Sequence, residues 1–181
     1  MSFKDTHLTT NITHKETACR CECGMGFFPG QVDDDTIQNI YLLAQNIQIL
    51  VNHLQVFIDF PNYIKIYVKI NSWCRCPVHN ENEGGSSNSI HKTGGAADIK
   101  LSWVYRGQRI YLRPQLICRA ALMLNEPKIT TFNGIGCYVN RVHLDVRPSD
   151  MVTWYYKSYN VGLNNSRDQY GVDFTEEVRL A

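Results

Sequence analysis

Across residues 141–147 the chain alternates without a break. Arg141, His143, Asp145 and Arg147 fall on one side, and Val142, Leu144 and Val146 on the other. Successive strand residues point to opposite faces, so this run is a strand whose apolar side must enter a core. Its polar side then carries an imidazole and a carboxylate into solvent or a cleft. Residues 63–72 show the same period of two, with Ile64, Ile66, Val68 and Ile70 set against Tyr63, Lys65, Tyr67 and Lys69. A chain with two such runs has to build a sheet with one buried face.

Ahead of both runs the period is different. Ile37, Ile40, Tyr41, Leu43, Ala44, Ile47, Leu50, Val51 and Leu54 recur at three- and four-residue steps, the spacing of a helix. Asp33, Asp34 and Asp35 supply its cap and first-turn carboxylates, and Pro61 ends the region. Residues 96–103 read as a strand. Residues 109–112 fold back on 103–105 about Arg106-Gly107. Pro114 opens a helix that runs to Asn125. Residues 134–146 return to strand character, and 154–156 add a short edge. Residues 1–31 read as irregular, 80–88 as a polar, glycine-rich loop, and 162–181 as a loosely packed tail. With no internal repeat and no second boundary, residues 1–181 are expected to form a single domain. The order of elements gives an α+β fold, a largely antiparallel sheet flanked by helices; crossovers are too few for a doubly wound parallel sheet.

Composition sets the outer limits. A chain of 181 residues buries about 70% of its unfolded surface, enough for a core without staples. At 44% hydrophobic and 19% charged residues it is not a disordered segment. A formal net charge of +1 gives no electrostatic case for nucleic acid as partner. No apolar run is long enough for membrane insertion; the closest, residues 47–60, is broken by Gln48, Asn52, His53, Gln55 and Asp59. Met1 to Thr10 is polar, so no signal peptide is expected.

Seven cysteines cannot all pair with one another. Cys19, Cys21 and Cys23 alternate, as do Cys74 and Cys76; Cys118 sits in an apolar helical run and reads as a small core residue. Without an export signal, thiols are the default. Cys21, Cys23 and Cys76 could join a second structural metal, remain plain thiols or oxidise late; Cys-x-Cys-x-Cys is not the usual two-residue-gap zinc spacing.

Three stretches carry chemistry. In Ser89-Ile-His91-Lys-Thr-Gly94-Gly-Ala96-Ala-Asp98, zinc can accept both the imidazole and the carboxylate, and the small residues between them let the chain approach an ion closely. On a strand, Asp98 shares a face with Ala96 and Lys100, while Ala97, Ile99 and Leu101 face the core. His143 supplies a second imidazole. Two histidines and a carboxylate leave zinc an open position for water, as catalysis requires. In Ser72-Trp-Cys-Arg75-Cys-Pro-Val-His79-Asn80, Arg75 at a strand end can bind a carboxylate or stabilise developing negative charge. Taken singly, each stretch has an ordinary reading: a loop histidine, an amphipathic surface strand, a surface arginine.

Together they resemble a family. Ser-x-x-Arg-Cys-Pro-x-His-Asn, then Gly84-Gly85, Ser-x-His-x-x-Gly-x-Ala-x-Asp, Gly-x-Gly-x-Tyr and Val-His-x-Asp-Val-Arg are similar to the zinc D-alanyl-D-alanine carboxypeptidases. Those are peptidoglycan peptidases that share a fold with the Hedgehog signalling domain. The resemblance spans roughly residues 15–156. It implies zinc ligands at His91, Asp98 and His143, a substrate-contacting arginine at Arg75 and a hydrogen-bonding serine at Ser89. The chain departs from the pattern in two ways. Trp73 and Cys74 stand where Gly-Tyr is frequent, which implies a different pocket shape. Asn140 stands where many members carry an acidic base. Asp145, beside His143, then takes the base's role or orients the ligand.

The resemblance implies a zinc-dependent peptidase that hydrolyses stem peptides or cross-links of peptidoglycan. The alternative is a non-catalytic zinc-binding or structural module of the same fold, which the asparagine at position 140 favours. A thiol hydrolase pairing a clustered cysteine with His79 is a third possibility. With no leader expected, such an enzyme is made in the cytoplasm. It reaches the cell wall after phage-mediated release, or as a virion component among virion or tail proteins, unless a bacterial leader has been removed.

Overall fold

A computed structural model describes residues 6–23, 25–26, 31–57 and 65–155. The segment expected to be irregular holds a short hairpin, β1 (His7–Thr9) and β2 (Ile12–Thr13), followed by one helical turn, α1 (His14–Thr17). The ordering forces there are side-chain bonds that composition does not announce. Glu16 Oε2 accepts from the Thr13 N–H at 2.9 Å, while Asn11 donates to the Ile66 carbonyl at 3.0 Å and accepts from Gln48 at 2.9 Å.

Helix α2 (Asp34–Phe57) starts where the acidic run places it, with Asp33 Oδ1 accepting from the Thr36 N–H at 2.7 Å. Its stripe of Ile40, Leu43, Ala44, Ile47, Leu50, Val51 and Leu54 is buried, whereas Tyr41 is exposed. Strand β3 (Tyr67–Ser72) follows; Pro61, Tyr63 and Ile64 lie outside the described residues. Helix α3 (Pro77–Asn82) begins inside the stretch read as strand end and loop, with Pro77 in the first turn. A 3-10 turn, Ile90–Thr93, leads into β4 (Ala96–Tyr105).

Strand β5 (Gln108–Tyr111) pairs back on β4, and Arg106 and Gly107 take φ of 49° and 77°. Two positive φ values in a two-residue connection suit the right-handed twist of the strands. Helix α4 (Pro114–Asn125) has the bounds expected of it. Residues 134–146 form two strands rather than one, β6 (Gly134–Cys137) and β7 (Val142–Asp145), because the chain reverses where Tyr138 N–H meets the Arg141 carbonyl at 3.0 Å. The short edge is β8 (Val152–Tyr155); the expected loose tail, 162–181, lies outside the described residues.

The main sheet has the order β3-β4-β7-β6-β8, with β5 also on β4. Among the described pairings only β6–β8 is parallel, so this is an α+β domain with a largely antiparallel sheet. Ile99, Leu101, Val142 and Leu144 join Leu43, Ile47, Leu50, Ile117, Cys118 and Ala121 in one core, which fixes α2 and α4 on one face of the sheet. Burial of each Val, Leu or Ile side chain among them stabilises the fold by about 1.5–3 kcal/mol. The odd-numbered partners of Val142 and Leu144 are thereby turned to the opposite face.

Candidate active site

Strand register brings the first two donors together. Asp98 of β4 sits directly opposite His143 of β7, and Ala96 opposite Asp145. Directly opposed residues in an antiparallel pair have Cβ atoms about 4.5–5.5 Å apart. Two residues 45 apart in sequence thus meet at 3.2 Å, His143 Nδ1 to Asp98 Oδ1. The third donor comes from the 3-10 turn. Gly94 ends that turn at φ 68°, and a Cβ there would lie 2.8 Å from Ile40. Only glycine allows both the left-handed conformation and the close approach to α2. His91 Nε2 then stands 3.7 Å from Asp98 Oδ2. One donor atom from each of His91, Asp98 and His143 lies within 4.8 Å of the others, and all three residues are buried.

Hydrogen bonds decide which ring nitrogens face inward. His91 Nδ1 lies 2.7 Å from the Trp73 carbonyl, which can only accept, so Nδ1 carries the hydrogen and Nε2 presents its lone pair. His143 Nε2 lies 3.0 Å from the carboxylate of Asp145, so Nδ1 is left facing Asp98. Lone pairs of two imidazoles and a carboxylate converging in a buried space repel unless a proton or a cation lies between them. Two nitrogens and one oxygen, each held by an outer partner, make a zinc donor set.

The protein groups already bias one another's protonation. Burial, then the charge of His143, pushes His91 down to about 3, which keeps it the neutral ring a metal needs. Burial alone would raise Asp98; the hydrogen bond from His143 and the nearby cationic groups outweigh it and hold the carboxyl below its usual range. Asp145 is likewise depressed against the effect of its burial, by hydrogen bonds from Arg147 and His143. The ring of His143 is raised despite burial, by its bonds to Asp145 and Asp98.

Asp145 is fully enclosed. Oδ1 accepts from Arg147 Nε at 2.8 Å and Oδ2 from Arg147 Nη2 at 2.5 Å, and its side chain has no exposed surface. A Cβ on Gly134 would come within 2.0 Å of Oδ2, so the first glycine of Gly-x-Gly makes room for this carboxylate. The second, Gly136, lets the Trp154 ring cross β6 and reach His143 with ring centroids 5.0 Å apart.

The donors lie at the floor of a cleft of roughly 450 Å³ lined by Arg75, Arg141, Arg147, Ser89, Tyr138 and Trp154 among others. Arg75 donates to Asp98 Oδ2 at 3.0 Å and to Ser72 Oγ at 2.8 Å. Arg141 Nε lies 3.8 Å from Asp98 Oδ1, with its guanidinium 4.2 Å above the Tyr138 ring. The lining carboxylates are Asp98 and Glu83; Asp145 is not among them. The site residues expected from sequence therefore gather here, with Asp145 one layer behind His143. Trp73 and Cys74, expected to reshape the pocket, lie buried beneath it, where Trp73 Nε1 donates to the Gly94 carbonyl at 2.7 Å. Asn140 is exposed on the β6–β7 turn.

A family model described as Peptidase M15 matches residues 10–145, three-quarters of the chain. The chain belongs to the peptidase M15 family. M15 peptidases are zinc-dependent metallopeptidases acting on peptides, and the His91, Asp98 and His143 group fits that metal. No curated protein matches the chain. Among the described residues no helix is long and apolar enough to cross a membrane.

Sequence reasoning missed Arg141, Arg147, Tyr138 and Trp154 as cleft residues. The first two were legible: they share the period-two face of His143. Tyr138 stood in the Gly-x-Gly-x-Tyr run. Trp154 gave no signal, because it arrives through the parallel β6–β8 pairing, in register with Gly136.

Proposed function

We propose that this M15 peptidase hydrolyses peptide bonds in peptidoglycan stem peptides or cross-links, as a D-alanyl-D-alanine carboxypeptidase or endopeptidase. The observation that carries this reading is three guanidinium groups, Arg75, Arg141 and Arg147, lining the same cleft as the His/Asp/His donors. A stem peptide ends in, and branches at, free carboxylates, which arginine binds in bidentate fashion. Of Arg75's five N–H donors two are engaged with Ser72 and Asp98. The guanidinium is thus held rigid beside the metal ligand while further donors remain for a substrate carboxylate or an oxyanion. Ser89 on the cleft wall offers a hydroxyl to the peptide backbone.

His91, Asp98 and His143 would hold zinc, which supplies Lewis acidity and activates water near neutral pH. Asp145 fixes the ring of His143 and balances the charge of Arg147. With both oxygens engaged and no exposed surface, we assign it orientation of His143 rather than proton transfer with the substrate. The place of action proposed is the cell wall, reached as a phage lysin or as a virion component.

Muropeptides incubated with the pure zinc-loaded protein and resolved by mass spectrometry test the reading. Loss of a terminal alanine or scission of a cross-link is the expected result. Intact muropeptides in the presence of stoichiometric zinc at the histidine site would overturn it and leave the binding-module alternative.

A further inference from the structure

We propose that Cys19, Cys21, Cys23 and Cys76 form a second, structural zinc site that clamps the N-terminal segment to the loop carrying Arg75. Their sulfurs gather within 4.8 Å of one another although Cys76 is more than 50 residues from the rest. Neighbouring separations are 3.2 Å for Cys19–Cys21, 2.9 Å for Cys21–Cys23 and 3.5 Å for Cys21–Cys76. All four thiols are free. A disulfide needs about 2.05 Å. Zinc–sulfur bonds of about 2.3 Å in a tetrahedron put sulfurs about 3.8 Å apart, a little wider than the three neighbouring separations and short of the 4.8 Å within which all four sulfurs lie.

The surroundings suit thiolates. The Cys76 N–H points to Cys19 Sγ at 3.3 Å, the His79 N–H to Cys76 Sγ at 3.3 Å and the Met25 N–H to Cys23 Sγ at 3.5 Å. His79 Nδ1 stands 3.1 Å from Cys19 Sγ. Backbone and imidazole donors directed at metal-bound sulfur are the outer partners that tune and orient such ligands. Cys19 is buried and Cys23 exposed, so the cluster runs from the interior to the surface and remains reachable by an ion. None of the four lines the cleft, which separates them from the peptide chemistry proposed there. Loading the site exchanges four thiol protons for one Zn²⁺, with the protons released to solvent.

Position gives the site its consequence. Cys76 follows Arg75 directly, and Arg75 N–H donates to the His91 carbonyl at 3.0 Å. Cys74 N–H donates to the Thr17 carbonyl at 3.1 Å, and Cys19 N–H to the Met25 carbonyl at 2.8 Å. A metal at this point would staple residues 17–25 onto the loop that sets Arg75 and His91.

The test is metal counting on the full-length chain, purified reduced and zinc-loaded, and it does not depend on the peptidase reading. Wild type is expected to hold two zinc ions per chain, with His91→Ala/His143→Ala keeping one and Cys21→Ser/Cys76→Ser keeping the other. Should the cysteine variant fail to fold, cobalt substitution of the wild type supplies the second readout. Strong sulfur-to-cobalt charge-transfer absorption is expected, persisting in the histidine variant, and a histidine–carboxylate site cannot produce it. One zinc per wild-type chain with all seven thiols titratable, or a native mass showing a disulfide within the cluster, would overturn the proposal.

Discussion

The two donor clusters differ in how the chain specifies them. His91, Asp98 and His143 are buried and come from three places in the sequence; sheet register, a glycine-ended turn and three outer hydrogen-bond partners (the Trp73 carbonyl, Arg75 and Asp145) hold them. The four cysteines lie on irregular chain, and three of them come from five consecutive positions. The first cluster can form only when β4 and β7 have paired. The second is assembled largely by local spacing and needs one distant partner. A preformed site costs little to load and can leave a coordination position open. A local one gains its order from the ion itself, as small zinc modules do. Chemistry would accordingly reside in the first and architecture in the second.

The sharpest way to break this division is to empty the first cluster. His91→Ala should lower peptide hydrolysis by about 10³-fold or more, since a Lewis acid contributes several kcal/mol to the transition state. Metal at the cysteines should be unaffected, as elemental analysis can check. Loss of both metals together would mean that the clusters are one folding unit. Next in size is Gly134→Ala. Its Cβ would sit 2.0 Å from Asp145 Oδ2, in the β-ladder that aligns the donors. A destabilisation of about 3 kcal/mol is expected from overpacking and a displaced buried carboxylate. Gly84→Ala, with nothing within 4 Å of the new Cβ but a φ of +66°, should cost only about 1 kcal/mol. Thermal melts of the two variants measure the contrast.

Asp145→Asn sharpens the comparison from behind the metal. The substitution keeps the shape and removes the charge that orients His143. Zinc affinity should fall by about 10–100-fold, with turnover restored when zinc is raised to saturation. Turnover that stays low with zinc fully bound would make Asp145 the proton acceptor instead. Competition with a zinc chelator, read alongside rate, separates the two.

What could be read in the sequence follows the same division. Period-two runs gave the faces of β3, β4 and β7, and period 3.6 gave α2 and α4, because in each the apolar half must be buried. That was enough to put His143 and Asp145 on one face, and to put Asp98 opposite the side of Ile99. It did not give their depth. Asp145 looked cleft-facing, yet Arg147, two residues on in the same alternation, folds back and covers it. The β1–β2 hairpin and α1 were invisible because side-chain bonds from Asn11 and Glu16, not periodicity, order them. The break in residues 134–146 was hidden because Tyr138 to Arg141 offers no glycine or proline to mark a turn. The outer partner of His91 is a backbone carbonyl, a group every residue possesses and no sequence pattern can single out.

The remaining test, at Arg75, asks whether the cleft reads anions independently of the metal. Arg75→Lys keeps a positive charge but loses the planar fork that donates to Ser72 Oγ and Asp98 Oδ2 together. One charge-assisted hydrogen bond is worth about 1.5–3 kcal/mol, so kcat/KM should fall by at least about tenfold. If the guanidinium serves the substrate, the loss appears in KM for peptides with a free carboxylate and is smaller for an amidated analogue, while zinc content stays constant. If zinc is lost as well, Arg75 serves mainly to hold Asp98, and carboxylate recognition passes to Arg141 on the opposite side of the same carboxylate ligand. Arg141→Lys then becomes the more damaging change, even though its nitrogen stands 3.8 Å from Asp98 against 3.0 Å for Arg75.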